Sequence, residues 1–458
     1  MTNQLDQSIR NARKVLILVP NKLRDLEGHA LVAYHLKYRH GYQVRFCSDQ
    51  QIQDKLLEEA PDALVLDYLG IDSRVTQAAL AKSLGVKVFV LPTAGFFLDS
   101  EGEARRAGKW LNRSVSQFVD CYFTWGHYAR EVLLEYGLMS EPQLMTVGCP
   151  RFDLYAEAFQ ALIGSRAELM DHLGIANSQA PLIIWPTNCY FVRLNNPKLM
   201  AHGKRPGAEI RAELEDDETQ NREMSQLLLA LARQHRDWNF IIKVHPSEFE
   251  KPYLGLTAQR PNLRIACGVG IRELLYHSDV LLQRWSTTAT EAWMLGKPVI
   301  EYSAGHYNLK EPQEYLNCND VVTSIDHADQ TIERYLMGQQ ISPEQQRARD
   351  AFISKLYYRI DGKAAERCAE VINKALSPPI YTDENHDETQ TAVHCEYLNW
   401  KRWQNRRLAN RVKDAVHIDR QVSLRFWRRG FGTAPNSCLE ITQEEVDRLH
   451  HRFSQVLS

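Results

Sequence analysis

The chain has 458 residues, 44% of them hydrophobic, a formal net charge of −2 and nine scattered cysteines. That length predicts two domains, and the near-zero charge excludes a globally basic nucleic-acid binder, so any basic surface must be local. No CxxC pair or Cys/His metal spacing occurs, which fits a reduced cytoplasmic protein and argues against a disulfide framework or a structural zinc site.

Residues 1–14 lack the apolar core of a signal peptide, and no apolar run reaches the roughly 20 residues of a membrane span. Lys14-Val15-Leu16-Ile17-Leu18-Val19-Pro20 reads as a buried parallel strand. A helix is predicted from Glu27 to Arg39, then a strand over Gln43–Cys47, a helix over Gln51–Glu59 and a strand over Ala63–Asp67. Val75–Leu84 reads as a helix closed by Gly85. Strands follow at Val86–Leu91, Cys121–Gly126 and Leu144–Gly148. The alternation of strand and helix implies a parallel sheet with right-handed crossovers.

The pattern restarts after Asn177, with a strand at Leu182–Pro186. The acidic stretch from Glu213 to Glu218 reads as a solvated helix face, and Met224–Gln234 as an apolar-periodic helix. Strands are predicted at Phe240–Val244, Asp279–Leu282 and Val299–Tyr302, with helices over Ala289–Leu295 and Ala364–Leu376. Expected boundaries are 1–176 for a first Rossmann-like domain, 177–376 for a second, and 377–458 for a linker and basic helical segment. Ten Lys/Arg lie between Lys401 and Arg429, with Trp400, Trp403, Phe426 and Trp427 among them. They fit either a hairpin packed on the domains or a peripheral surface for anionic lipid.

Candidate site residues gather at predicted strand ends, where ligands bind open α/β sheets. His245-Pro246 ends a strand, and its imidazole could donate to a phosphate oxygen or simply close the strand. Ser286-Thr287-Thr288 open a helix, where capping and phosphate binding use the same exposed N–H groups. Glu291, one turn on, suits a ribose hydroxyl or the helix dipole. Thr187-Asn188 end another strand and could meet a donor phosphate. Asp99-Ser100-Glu101-Gly102 place two acids on a strand-exit loop, which suits a base for a hydroxyl or an ordinary solvated turn. Arg151 and Asp153, at a strand exit, could line the cleft or close the first domain as an ion pair, with the structural pair preferred, and Asp361-Gly362-Lys363 fits a helix cap.

Taken in order, Val147-Gly148-Cys149-Pro150-Arg151-Phe152-Asp153, Pro186-Thr187-Asn188-Cys189-Tyr190-Phe191, Lys243-Val244-His245-Pro246-Ser247-Glu248, Thr287-Thr288-Ala289-Thr290-Glu291-Ala292 and Asp361-Gly362-Lys363 resemble bacterial surface-carbohydrate (capsule/O-antigen) biosynthesis proteins. These look like GT-B glycosyltransferases, whose relatives include sialyltransferases, Kdo transferases and teichoic-acid glycerophosphotransferases. The resemblance implies two Rossmann-like domains facing across a cleft. It implies a base at Glu101, with Asp99 second, and donor-phosphate contacts at His245, Ser286 and Thr287. This chain carries Ser100 where a second acid is usual, and Arg284-Trp285 ahead of the hydroxyl turn.

The expected activity is metal-independent, cofactor-free sugar transfer from a nucleotide-sugar donor to a polysaccharide or lipid-linked acceptor. A CMP-activated ulosonic acid is the first donor expected. The alternatives are a CDP-polyol phosphotransferase, a nucleotide-sugar 2-epimerase, and a non-catalytic scaffold in polysaccharide assembly. Nucleic acid is not an expected partner, and location is expected to be cytoplasmic, with peripheral contact to the inner face of the membrane.

Overall fold

The structure is a computed structural model and describes residues 13–93, 100–109, 111, 115–188, 207–245, 248, 250–304, 312–377 and 441–457. Asp99, Pro246 and the basic segment 401–429 lie outside the described residues. The first sheet contains β1 (Lys14–Leu18), β2 (Gln43–Cys47), β3 (Ala63–Leu66), β4 (Lys87–Val90), β5 (Cys121–Thr124) and β6 (Leu144–Thr146), in the order β2-β1-β3-β4-β5-β6. The second contains β7 (Leu182–Pro186), β8 (Asn239–Lys243), β9 (Leu263–Ile265), β10 (Val280–Gln283), β11 (Val299–Tyr302) and β12 (Asp320–Val322), in the order β12-β11-β10-β7-β8-β9. All pairings are parallel. Helices cover both faces, so central strands can be apolar throughout: Val15, Leu16, Ile17 and Leu18 have no exposed surface. Burying each such side chain contributes about 1.5–3 kcal/mol. The edge strands β9 and β12 are additions to the sequence reading, and at three residues each they are too short to show a period.

Seven helices carry the argument: α1 (Lys22–His40), α2 (Ser100–Arg106), α3 (Gly207–Gln234), α4 (Thr288–Met294), α5 (Pro343–Tyr357), α6 (Ala364–Leu376) and α7 (Gln443–Leu457). α1 starts at Lys22, ahead of the expected Glu27, because Asn21 caps it: its Oδ1 accepts the Arg24 N–H at 3.1 Å. α3 runs through the acidic stretch, as its solvated-face reading requires. Among the described residues no helix is long and apolar enough to cross a membrane.

α6 falls within the expected 177–376 unit but packs on the first sheet. Ala365, Cys368, Ala369 and Ile372 share a core with Val15, Ile17, Leu31 and Phe89. α7 adds Phe453 to that core, and its His450 Nε2 donates to the Ala30 carbonyl on α1 at 3.0 Å. The chain therefore crosses from the second sheet back to the first before it ends.

Between the sheets lies a shared aromatic joint. Trp125, Phe152 and Tyr155 join Leu281, Trp293, Phe352 and Tyr357 in one buried cluster. Gly126 lets the backbone of Leu356 approach here; a Cβ at this position would sit 2.6 Å from it. The expected Arg151–Asp153 pair does not form. Asp153 instead accepts the N–H groups of Ala364 and Ala365, at 2.9 and 2.7 Å, and so caps α6 from more than two hundred residues away. Asp361, the expected cap, accepts from the Lys363 N–H and pairs with Arg367 at 2.8 Å. Burial outweighs the two N–H bonds and pushes the Asp153 carboxyl up to about 7.

Asp153→Ala orphans two buried helix-start donors while removing the cost of burying a carboxyl. The expected net loss is about 1–3 kcal/mol, read as a lower Tm in thermal unfolding. An unchanged Tm would mean that the aromatic joint alone fixes α6.

Candidate functional site

In the second sheet the chain runs β7, β8, β9 to one side, then crosses to β10, β11, β12 on the other. The order reverses between β7 and β10, and an open α/β sheet has its binding crevice at the carboxyl ends of such a strand pair. Thr187 and Asn188 leave β7 at that point, and Arg284-Trp285-Ser286-Thr287 leave β10. Asn188 closes the crevice floor, its Nδ2 donating to the Trp285 carbonyl at 2.6 Å. Thr187 is buried, and its Oγ1 accepts the His245 N–H at 2.8 Å. The His245 backbone is thus fixed to the switch point.

The turn after β10 is held from beneath. Glu301, fully buried on β11, accepts the Trp285 N–H at 2.6 Å and the Gln283 side-chain amide at 2.8 Å. The same amide donates to the Tyr315 hydroxyl at 2.6 Å, and that hydroxyl donates to the Ser286 carbonyl at 3.3 Å. The Trp285 ring stands edge-on to Tyr315, with centroids 4.8 Å apart. This network sustains φ +43° at Trp285, a left-handed backbone uncommon for a bulky residue and typical of constrained sites. Ser286 Oγ accepts the Thr288 N–H at 3.3 Å and donates to Thr288 Oγ1 at 3.1 Å, so the start of α4 caps itself. Thr287 is exposed.

Glu291 stands apart from this crevice. Its carboxylate accepts the Tyr155 hydroxyl and lies 3.8 Å from Arg151. It is a buried strut between the two sheets, already engaged where a ribose contact was expected.

His245 reaches solvent, yet the walls of the cleft surround it. That desolvation, with Arg24 of α1 facing it, holds its pKa below the usual imidazole range, so it is neutral at pH 7. Arg24 pairs with Asp25 through two hydrogen bonds of 2.6 and 2.7 Å. The sequence reading misses Arg24 and Asp25; the available signal was Asn21, a capping residue directly after an apolar strand.

Glu101 sits on α2, partly exposed, with its carboxylate held by Lys109 and accepting the Tyr136 hydroxyl at 3.5 Å. Ser100 shares the Tyr136 hydroxyl at 3.2 Å. Among the described residues no contact joins Glu101 to His245 or to the Ser286 turn. The structure thus brings together Thr187, Asn188, His245 and the Trp285–Thr288 turn, and leaves Glu101 and Glu291 in local pairs of their own.

Comparison with known proteins gives the site a context. A family model described as CDP-glycerol:poly(glycerophosphate) glycerophosphotransferase matches residues 112–374, more than half of the chain. The chain belongs to this family. The match spans the joint, the crevice and most of α6. No curated protein sequence matches the chain.

Solved structures of similar shape include the wall teichoic acid polymerase TagF soaked with CDPG, at TM-score 0.50 and 14% identity, covering 82% of this chain and 92% of that one. MnaA of S. aureus with UDP has a TM-score of 0.52 and 13% identity, covering 80% and 97%. A Methanocaldococcus jannaschii UDP-GlcNAc 2-epimerase with UDP-GlcNAc and UDP has a TM-score of 0.51 and 13% identity, covering 79% and 99%. At such identities the likeness shows the fold alone, and that fold is the expected GT-B-like pair of Rossmann-like units. The family corrects the first expectation about type: it is not that of Kdo transferases or sialyltransferases.

The shape of the crevice depends on Glu301. Glu301→Ala leaves the Trp285 N–H and the Gln283 amide without their buried acceptor, at a cost of about 1–3 kcal/mol. We expect a lower Tm and a larger gain in protease cleavage near Trp285 than elsewhere. Wild-type stability and cleavage in this variant would show that Tyr315 holds the turn unaided.

Proposed function

We propose that the protein transfers glycerol phosphate, or a related polyol phosphate, from a CDP-linked donor to a hydroxyl of a surface polymer. The observation that carries this reading is membership of the glycerophosphotransferase family. The crevice between β7 and β10 supports it with groups suited to a phosphate: the exposed Thr287 on the hydroxyl turn and the imidazole of His245.

In the proposed reaction an acceptor oxygen attacks the phosphorus that bears the polyol. The bond from that phosphorus to the bridging oxygen breaks, and CMP leaves with the electron pair. His245 hydrogen-bonds the leaving phosphate, while the hydroxyl turn holds the remaining charge. A bound diphosphate raises the proton affinity of a nearby imidazole, so a His245 that is neutral in the free protein takes up a proton with the donor and can return it to CMP. The scheme draws on protein donors alone. Thr187 and Asn188 are positioning residues here, and Glu291 acts through Tyr155 and Arg151 on the joint. The acceptor is a polysaccharide or lipid-linked polymer. Peripheral membrane contact through the basic segment 401–429 rests on sequence alone.

Three measurements test the reading. In a thermal-shift panel of CMP, CDP, UDP, GDP and ADP, cytidine nucleotides should stabilise the protein most, by mass action on the native state. With CDP-glycerol and a glycerophosphate-primed acceptor, CMP should appear in step with acceptor extension. His245→Ala should slow that step by about 10²-fold or more at unchanged Tm. A preference for UDP with an isomerised sugar nucleotide as product would replace phosphotransfer by epimerisation.

A further inference from the structure

Away from the crevice, near the amino end of β8, three side chains of metal-ligand type converge. His235 follows α3 directly, and Asp329 and Glu333 lie one turn apart on the helix Ile325–Leu336. One ligand atom from each, a ring nitrogen and two carboxylate oxygens, lies within 4.8 Å of the other two. The His235 and Asp329 side chains are 13% and 11% exposed, and Glu333 is half-buried, so the group is sheltered yet open to a small ion.

The surroundings hold these side chains in place. The His235 ring stacks on Trp238, with centroids 3.6 Å apart and planes 7° from parallel. Its Nε2 lies 2.6 Å from Asp329 Oδ1. Gln234 Nε2 donates to the other Asp329 oxygen at 2.6 Å, an outer contact of the kind that orients a ligating carboxylate. Trp238 shares a core with Leu231 of α3 and with Ile332, so the two helices are packed together here.

The charge of the group is not balanced. Asp329 and Glu333 form an i,i+4 pair of like sign, which destabilises a helix. Among the described residues no Lys or Arg pairs with either carboxylate. Arg334, next to Glu333 in sequence, donates to Thr331 Oγ1 at 3.0 Å instead. Two sheltered carboxylates beside one imidazole, with no basic side chain to offset them, call for a cation.

We propose that His235, Asp329 and Glu333 bind one divalent transition ion of the zinc class, which clips the end of α3 to the helix Ile325–Leu336. Imidazole and carboxylate together suit such an ion. His235 ligates through Nε2; the ring proton shared with Asp329 moves to Nδ1, and the ion takes its place. Bonds of about 2.0–2.2 Å need ligand atoms within about 3.5 Å of one another, and rotation of the Glu333 side chain supplies the approach. Water completes the coordination. Gln220, also on α3, donates to the Arg284 carbonyl beside the crevice at 3.1 Å. Gln220 and Gln234 are about 21 Å apart along the helix. The ion is therefore structural, and the proposal stands apart from the phosphotransfer reading. No sequence spacing announces the site, because His235 and Asp329 are 94 residues apart.

The test uses the full chain, stripped with EDTA and exchanged into chelator-free buffer. Isothermal titration with ZnCl2 should show one tight site per chain. Zn2+ should raise the Tm, and Mg2+ at the same concentration should not, because an imidazole ligand disfavours a hard cation. Glu333→Gln and His235→Ala should each weaken the site by about 10-fold or more. Without metal, Glu333→Gln should match or exceed the wild-type Tm, since it removes a like-charge contact. That variant keeps the test decisive even where His235→Ala fails to fold. No tight Zn2+ site in the wild type, an undiminished site in Glu333→Gln, or an equal response to Mg2+ would overturn the proposal. A metal-free Tm of Glu333→Gln below that of the wild type would also overturn it, because the carboxylate would then already be satisfied by the protein.

Discussion

The two Asp153–N–H bonds that cap α6 fix more of this molecule than their size suggests. Asp153 follows the last strand of the first sheet, and α6 follows everything in the second. By capping that helix, the first unit recaptures the chain after it has built the other side of the cleft. The aromatic joint does the same through packing, with Phe152 and Tyr357 edge-to-face at 4.9 Å. Both devices lie beside Arg151, whose guanidinium is 3.8 Å from Glu291. The positions of the two sheets are therefore coupled through one short segment, Cys149–Tyr155.

This placement makes the buried charge on Asp153 meaningful. Burial raises its pKa, so the carboxylate gains less from the two N–H groups than an exposed cap would. The stability that comes with the raised value is full below its unfolded value of 3.8 and is lost as pH climbs through about 7. An apolar residue here could pack well, but it could not mark the first turn of α6 as the partner. The capped helix start is a registration device, and the close approaches at Gly28 and Gly126 leave little tolerance for any other register.

Much of the fold was legible because parallel strands buried on both faces are continuous apolar runs. The two-unit α/β organisation follows from those runs and the helices between them. The edge strands β9 and β12 were not, because three residues cannot show a period. The home of α6 was not, because its apolar face fits either sheet, and the deciding contact comes from Asp153, far away in sequence. At the site, the strand ends carrying Thr187, Asn188, His245 and Ser286 lie together at the switch point. Strand-end position could not tell Glu291, spent on Tyr155 and Arg151, from a ligand contact.

The imidazoles of His245 and His29 share an electrostatic design. Each is kept neutral first by the surrounding protein, and Arg24 adds to the effect on both. Neutrality has different consequences in the two places. At His245 the neutral ring can gain a proton when an anion arrives, so its charge appears only with the ligand. At His29 burial shuts the ring away from water, and its Nε2 has no partner among the described residues. Arg24 acts on both, its charge balanced by Asp25. A diphosphate entering the crevice would compete with Asp25 for that guanidinium and thereby alter the charge next to His29.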